Sequence, residues 1–310
     1  MRLVTLEDVH AAAATIAPHV VHTPLLPFDS GLWIKPECLQ PIGAFKQRGA
    51  VNALSRIPSE DRARGVVAYS SGNHAQAVAY AASLLGMPAA IVVPSNTPQL
   101  KIDATRAWGA EVFVVGITER ESRAAELVEE RGATLIPPFD HPDVIAGQGT
   151  IGLEICADLP DVATILVPVS GGGLIAGVAT AVKSLRPNVR VIGVEPELAA
   201  DAAASFAAGS LVRWDAHDRA RTIADGLRAE PSELTFAHIR EYVDDIVTVT
   251  EDEVRAAVKE IARRTRVVSE TSGAVPVAAY LNRSLPAGPA VAVVSGGNIE
   301  PALFASLVNP

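Results

Sequence analysis

Ile165-Leu166-Val167-Pro168-Val169-Ser170-Gly171-Gly172-Gly173-Leu174 is an apolar, β-branched run that breaks into a glycine turn and continues as Ala-rich sequence. The same order recurs at residues 66–69, which lead into Ser70-Ser71-Gly72-Asn73, and at 291–294, which lead into Ser295-Gly296-Gly297-Asn298. Apolar runs without polar alternation suit strands covered on both faces, as in a parallel sheet between helices. Repeated strand–turn–helix units therefore predict an open-sheeted α/β fold. Further strands are expected at 89–93, 111–115 and 189–194, and helices at 75–85, 99–108 and 119–131. The units within 65–142 are numerous enough to form an inserted lobe, with a cleft between it and the remainder.

The 310 residues can bury a large core, and 49% hydrophobic with 20% charged residues describes a packed globule. A formal charge of -9 without a Lys/Arg stripe argues against a nucleic-acid partner, and no apolar stretch has the length of a membrane span. Residues 1–21 lack the apolar core of a signal peptide, so a cytoplasmic location is expected. Cys38 and Cys156 stand alone in apolar surroundings, which fits buried thiols better than zinc or redox chemistry.

A glycine turn that opens a helix offers free N–H groups and the positive end of a dipole to an anion. Gly171, Gly172 and Gly173 let such a group approach closely, although a turn of this kind also serves plain tight packing. The spacing is neither GxGxxG nor GxxxxGK[ST], which removes support for dinucleotides and nucleoside triphosphates. Lysine is scarce: five of 26 basic residues, at 35, 46, 101, 183 and 259. Lys46 sits in Gly43-Ala44-Phe45-Lys46-Gln47-Arg48-Gly49-Ala50, where desolvation would lower its pKa and make the amine nucleophilic. An amine that captures an aldehyde and a turn that captures a phosphate are the two handles of pyridoxal phosphate.

With Pro36-Glu37-Cys38-Leu39-Gln40 before it, the Lys46 segment resembles the cofactor-lysine segment of fold-type II pyridoxal-phosphate enzymes, the tryptophan synthase β-like group. Ser70-Ser71-Gly72-Asn73-His74-Ala75-Gln76, Ser170-Gly171-Gly172-Gly173-Leu174, Gly193-Val194-Glu195-Pro196, Ile223-Ala224-Asp225-Gly226 and Ser295-Gly296-Gly297-Asn298 follow in that family's order. His74, where cysteine-synthase relatives carry Thr, makes the chain similar to the serine/threonine dehydratase and serine racemase branch. The resemblance implies two open, twisted, mostly parallel sheets flanked by helices, with a large cofactor-binding domain (1–64 and 143–310), a small inserted domain (65–142) and a homodimer. It also implies β-elimination of water from L-threonine or L-serine, giving a 2-oxo acid and ammonia. Serine racemase and threo-3-hydroxyaspartate dehydratase are alternatives built from the same parts, and a non-catalytic pyridoxal-phosphate or amino-acid binding protein is a distant one.

The resemblance further assigns roles. Lys46 holds the cofactor and removes the Cα proton, and Ser71 is an acid/base on the opposite face. Phe45 packs behind the ring, Asn73 meets the ring hydroxyl, Gly226 and Glu270 line the ring, and Ser295 faces its nitrogen. Ser170 to Leu174 cradle the phosphate, Ser170 replacing a glycine and offering its hydroxyl. Ser70, Ser71, Asn73 and His74 grip the substrate carboxylate, and Arg123 reaches the site as the small lobe closes. Glu195, Asp201 and the Ala199 carbonyl bind magnesium, calcium or manganese, cations that favour oxygen ligands. Pro41-Ile42 departs from the racemases' nucleotide-binding pattern, and Ala229 replaces a serine that contacts substrate in some of them. No regulatory C-terminal domain is expected after Pro310.

Overall fold

The apolar runs pair into two sheets. The computed structural model describes residues 2–309. Numbered in chain order, its strands are β1 (Leu26–Pro27), β2 (Leu32–Pro36), β3 (Val66–Tyr69), β4 (Ala89–Pro94), β5 (Glu111–Val115), β6 (Thr134–Leu135), β7 (Thr164–Pro168), β8 (Arg190–Pro196), β9 (Asp245–Val249) and β10 (Ala290–Val294). Six of them form one sheet in the order β1-β2-β10-β7-β8-β9, and four form the other in the order β5-β4-β3-β6. Every pairing is parallel except β1 with β2. Parallel neighbours require crossovers, which the intervening helices supply.

Alternation shows why the central strands read as unbroken apolar runs. Leu166, Ala290, Ala292 and Val294 enter a core shared with the helices Glu251–Thr265 and Thr271–Asn282. Ile165, Val167, Val291 and Val293 enter another, shared with Pro142–Asp158 and Gly173–Leu185. Both faces are therefore dry. β2 gave no such signal because its Lys35 interrupts the apolar run; the side chain is fully buried, and its ammonium is paired with Glu154 at 2.6 Å.

The helix Lys46–Ser55 links the two bodies of the fold. Ala50, Val51 and Leu54 pack into the four-stranded sheet's core with Ala68, Val78 and Ile91, although they lie before residue 65. Its polar side is fastened by Arg48, which donates to Glu37 at 2.7 and 2.8 Å and to Glu154 at 2.6 and 2.9 Å. Arg48, Lys35, Glu37 and Glu154 make a balanced quartet, the first three fully buried. Removing one member of such a group strands its partner and costs about 3–5 kcal/mol. The carboxyl ends of β3, β7 and β10 converge beside this helix, where open α/β sheets hold their ligands. Among the described residues, no helix is long and apolar enough to cross a membrane.

Candidate active site

A cleft of about 1530 Å³ opens at those strand ends. Phe45, Lys46, Ser70 to His74, Ser170 to Leu174, Gly226, Glu270 and Ser295 all line it, so residues spread over most of the sequence meet in one place. Lys46 is the first residue of its helix, and its ammonium lies 5.1 Å from the Phe45 ring centroid and 2.6 Å from the Pro138 carbonyl. Burial without a carboxylate partner pushes the Lys46 pKa down to about 8, which leaves a usable fraction of neutral amine near pH 7.

Two helix starts face the cleft without side-chain caps, Asn73–Leu84 behind Gly72 and Gly173–Leu185 behind Gly172. Reciprocal capping boxes close other helix starts, at Thr5, Ser232 and Thr250. With no side chain on them, the first N–H groups of these two helices can meet an anion in the cleft. Gly172 adopts φ +84°, and a Cβ there would stand 2.8 Å from that of Thr235. A methyl on Gly171 would overlap the Phe139 ring. The Ser170 hydroxyl accepts from the Ala229 N–H at 2.9 Å and gives its only proton to the Ala229 carbonyl at 3.1 Å. In this arrangement the hydroxyl's proton is directed to the main chain rather than into the cleft.

On the other wall, the Asn73 amide donates to Glu270 at 2.8 Å and accepts from Asn298 at 2.8 Å, which leaves one amide hydrogen uncommitted. Burial, reinforced by Asp225, raises the Glu270 pKa to about 8 against the Asn73 hydrogen bond, so Glu270 is a neutral acid near pH 7. The Gly226 N–H donates to Ser272 Oγ at 2.9 Å, and the Ser295 carbonyl accepts from the Phe45 N–H at 3.0 Å. The set fits pyridoxal phosphate: a neutral-capable amine, an anion-ready glycine turn, an aromatic backing, and a polar rim without a fixed charge at Ser295.

Arg123 is not among the residues that line the cleft in this arrangement. It is held at 2.8 Å by both Glu126 and Glu130 on its own helix and stacked on Phe113. Arg120, nearly one turn earlier, lines the cleft instead. The His74 imidazole borders the cleft, but it is buried and bonded to the Ile136 carbonyl at 2.8 Å. Glu195, Ala199 and Asp201 lie at and beyond the end of β8 and do not line the cleft. Glu195 accepts from the N–H groups of Ala202 (3.2 Å) and Ala203 (2.7 Å), while Asp201 Oδ2 is buried with no hydrogen-bond partner.

The sequence reading gave no role to Pro138, Phe139, Lys101, Asp225 or Asn298. Asn298 and Asp225 lay within quoted motifs, and Lys101 was marked only by the scarcity of lysine. Pro138 and Phe139 carried no signal, because their importance comes from partners far along the chain.

The family described as pyridoxal-phosphate dependent enzyme matches residues 16–296. An L-threonine ammonia-lyase of Thermotoga maritima is 44% identical, across 99% of this chain and 79% of its own length. The structure of maize serine racemase superposes with a TM-score of 0.94 at 38% identity, covering 98% of this chain and 97% of that one. The processed form of threonine deaminase isoform 2 from Solanum lycopersicum gives 0.90 at 39% identity, covering 97% of this chain and 91% of that one.

Proposed function

Because the chain belongs to the pyridoxal-phosphate dependent enzyme family, we propose that it is an L-threonine ammonia-lyase, eliminating water from L-threonine and releasing a 2-oxo acid and ammonia. The observation that carries this reading is the placing of the Lys46 amine in one cleft with two uncapped helix starts. Relatives named for threonine deamination, 41–47% identical over most of the chain, support the substrate.

When bound, pyridoxal phosphate supplies the electron sink that stabilises negative charge at Cα. Main-chain N–H groups of residues 170–174 would hold its phosphate, Phe45 would back its ring, and Asn73, Gly226, Glu270 and Ser295 would line its edge. A serine hydroxyl such as that of Ser295, if it faces the ring nitrogen, would not retain a proton there as a carboxylate would, which would favour prompt loss of the β-hydroxyl. The N–H groups behind Ser70 to His74 bind the substrate carboxylate. Lys46 would hold the cofactor's aldehyde carbon and supply the amine that removes the Cα proton. Ser71 stands ready as a proton carrier for the opposite face, which keeps racemisation as a second reading alongside the maize serine racemase likeness.

Glu195, Asp201 and the Ala199 carbonyl would hold magnesium, calcium or manganese. Burial raises Glu195 well above the usual carboxylate range, with Asp201 adding to it, and burial lifts Asp201 to about 6. A divalent cation would neutralise both acids and give Asp201 Oδ2 the partner it lacks. The small lobe at 65–142, the homodimer and the cytoplasmic location belong to the same proposal.

The test is a panel of β-hydroxy amino acids scored separately for oxo-acid release and for enantiomer formation, with borohydride fixing the cofactor for peptide mapping. Label on Lys46 and oxo-acid release from L-threonine are expected. Label on Lys35 or Lys101, or a protein that takes up cofactor and turns nothing over, would overturn the reading.

A further inference from the structure

The four residues Ile136-Pro137-Pro138-Phe139, leaving β6, touch three parts of the site. The Ile136 N–H donates to the Val67 carbonyl on β3 at 2.9 Å, and the Ile136 carbonyl accepts from His74 Nε2 at 2.8 Å. Two residues on, the Pro138 carbonyl accepts from the Lys46 amine at 2.6 Å. Next, Phe139 lies against the glycine turn, its Cβ 2.8 Å from where a Cβ on Gly173 would be. Ile136 is thus fastened on both sides, and two consecutive prolines, each with φ fixed by its ring, carry that position to the carbonyl that receives Lys46.

His74 is suited to the task. Its ring is buried, and only a protonated nitrogen can satisfy a carbonyl, so the bond to Ile136 selects the Nε2–H tautomer. Burial, with Lys46 nearby, holds its pKa down at about 3, so it stays neutral and adds no positive charge beside the amine.

We propose that His74 is a positioning residue for the elimination: by fixing Ile136 it sets, through Pro137 and Pro138, the carbonyl on which the Lys46 amine rests whenever that amine is free. This rests on the reading of Lys46 as the base. The tie keeps the amine aimed between leaving the cofactor and taking the Cα proton.

The first arm of the test uses cofactor-free protein. Acetylation of Lys46 by acetic anhydride, measured by peptide mass spectrometry against Lys183 in the same sample, reports how firmly the amine is held. His74→Asn, too short to reach Ile136, should raise Lys46 labelling about 3–10-fold, the factor for losing one ordinary hydrogen bond. His74→Gln, which extends an N–H donor to the same carbonyl, should return toward the unmodified rate. The second arm uses the loaded enzyme and L-threonine deuterated at Cα. The isotope effect on kcat should grow in His74→Asn, with KM within about twofold, and recover in His74→Gln. Pro137→Gly leaves His74 in place and loosens the tie, so it should reproduce the Asn phenotype and decides the matter if the His74 variants do not fold.

Lys46 labelling and isotope effects equal to the unmodified protein in either disrupting variant would overturn the proposal, as would a Gln variant that behaves like Asn. If the cofactor instead attached to another lysine, the functional reading would fall, while the acetylation arm would still report on the His74 tie.

Discussion

The Lys101 ammonium lies 2.8 Å from the Asp225 carboxylate, joining the helix Gln99–Ala107 beside the four-stranded sheet to the loop that carries Gly226. Both residues line the cleft, so the pair spans its mouth. Asp225 is 46% exposed, which limits the bond to about 1 kcal/mol at most. Lys101→Asp should therefore raise KM for L-threonine by no more than about fivefold. Lys101→Asp combined with Asp225→Lys should bring it back, and steady-state kinetics of the two would show whether the pair acts as a unit.

Ser71→Ala separates the two activities. A general acid/base is worth about 100-fold or more, so any racemisation should collapse by at least that factor. Elimination from the L-enantiomer should fall only modestly, through lost positioning. Chiral chromatography of recovered substrate, beside an oxo-acid assay, gives both numbers.

Glu270 should make the cofactor-free protein less stable as pH rises. Its folded-state pKa, about 8, stands above the ordinary 4.5, so the native state keeps a proton that the unfolded chain releases. That contribution is complete below pH 4.5 and is lost as pH rises through about 8. Glu270→Gln removes the linkage. Denaturation midpoints of the two proteins should diverge across that window, the variant gaining relative to the parent.

Gly171→Ala should cost about 1–3 kcal/mol of stability, as overpacking does, because its methyl would overlap Phe139. Phosphate affinity should fall with it. Adding Phe139→Ala should recover part of the stability, measured by urea denaturation, since the ring that opposes the methyl is then gone.

Millimolar magnesium, calcium or manganese should raise the melting temperature, and Glu195→Ala with Asp201→Ala should abolish that rise. The lysine-bound cofactor absorbance should be unchanged, because neither acid lines the cleft. A melting temperature indifferent to chelator in the unmodified protein would remove the cation from the account.

What the sequence disclosed and what it hid follow from the reach of each signal. The runs at 66–69 and 291–294 announced buried strands because local pattern alone determines them. Lys46 and the glycine turn were legible for a similar reason, each chemistry lying within a few consecutive residues. Arg120 was passed over for Arg123 because the two sit three residues apart on one helix, and which of them lines the cleft depends on helical phase, which the sequence does not show. Phe139 was invisible because its partners, Gly171 and Gly173, lie more than thirty positions on. β2 was obscured by Lys35, whose burial makes sense only once Glu154 stands beside it.

Strand order also bears on the sequence of events as the polypeptide leaves the ribosome. The four-stranded sheet closes within residues 66–135, so all its pairings are available early in synthesis. β2 cannot find β10 until residue 294 has been made, and Arg48 must wait 106 residues for Glu154. Contacts of such long sequence separation form late, because the loop must be closed before they reward it. A nascent chain can therefore seat the Lys46 helix on the four-stranded sheet and rest its amine on Pro138 before half of the chain is made, whereas the cleft around that amine is completed only near the end, as Ser295 arrives beside Phe45.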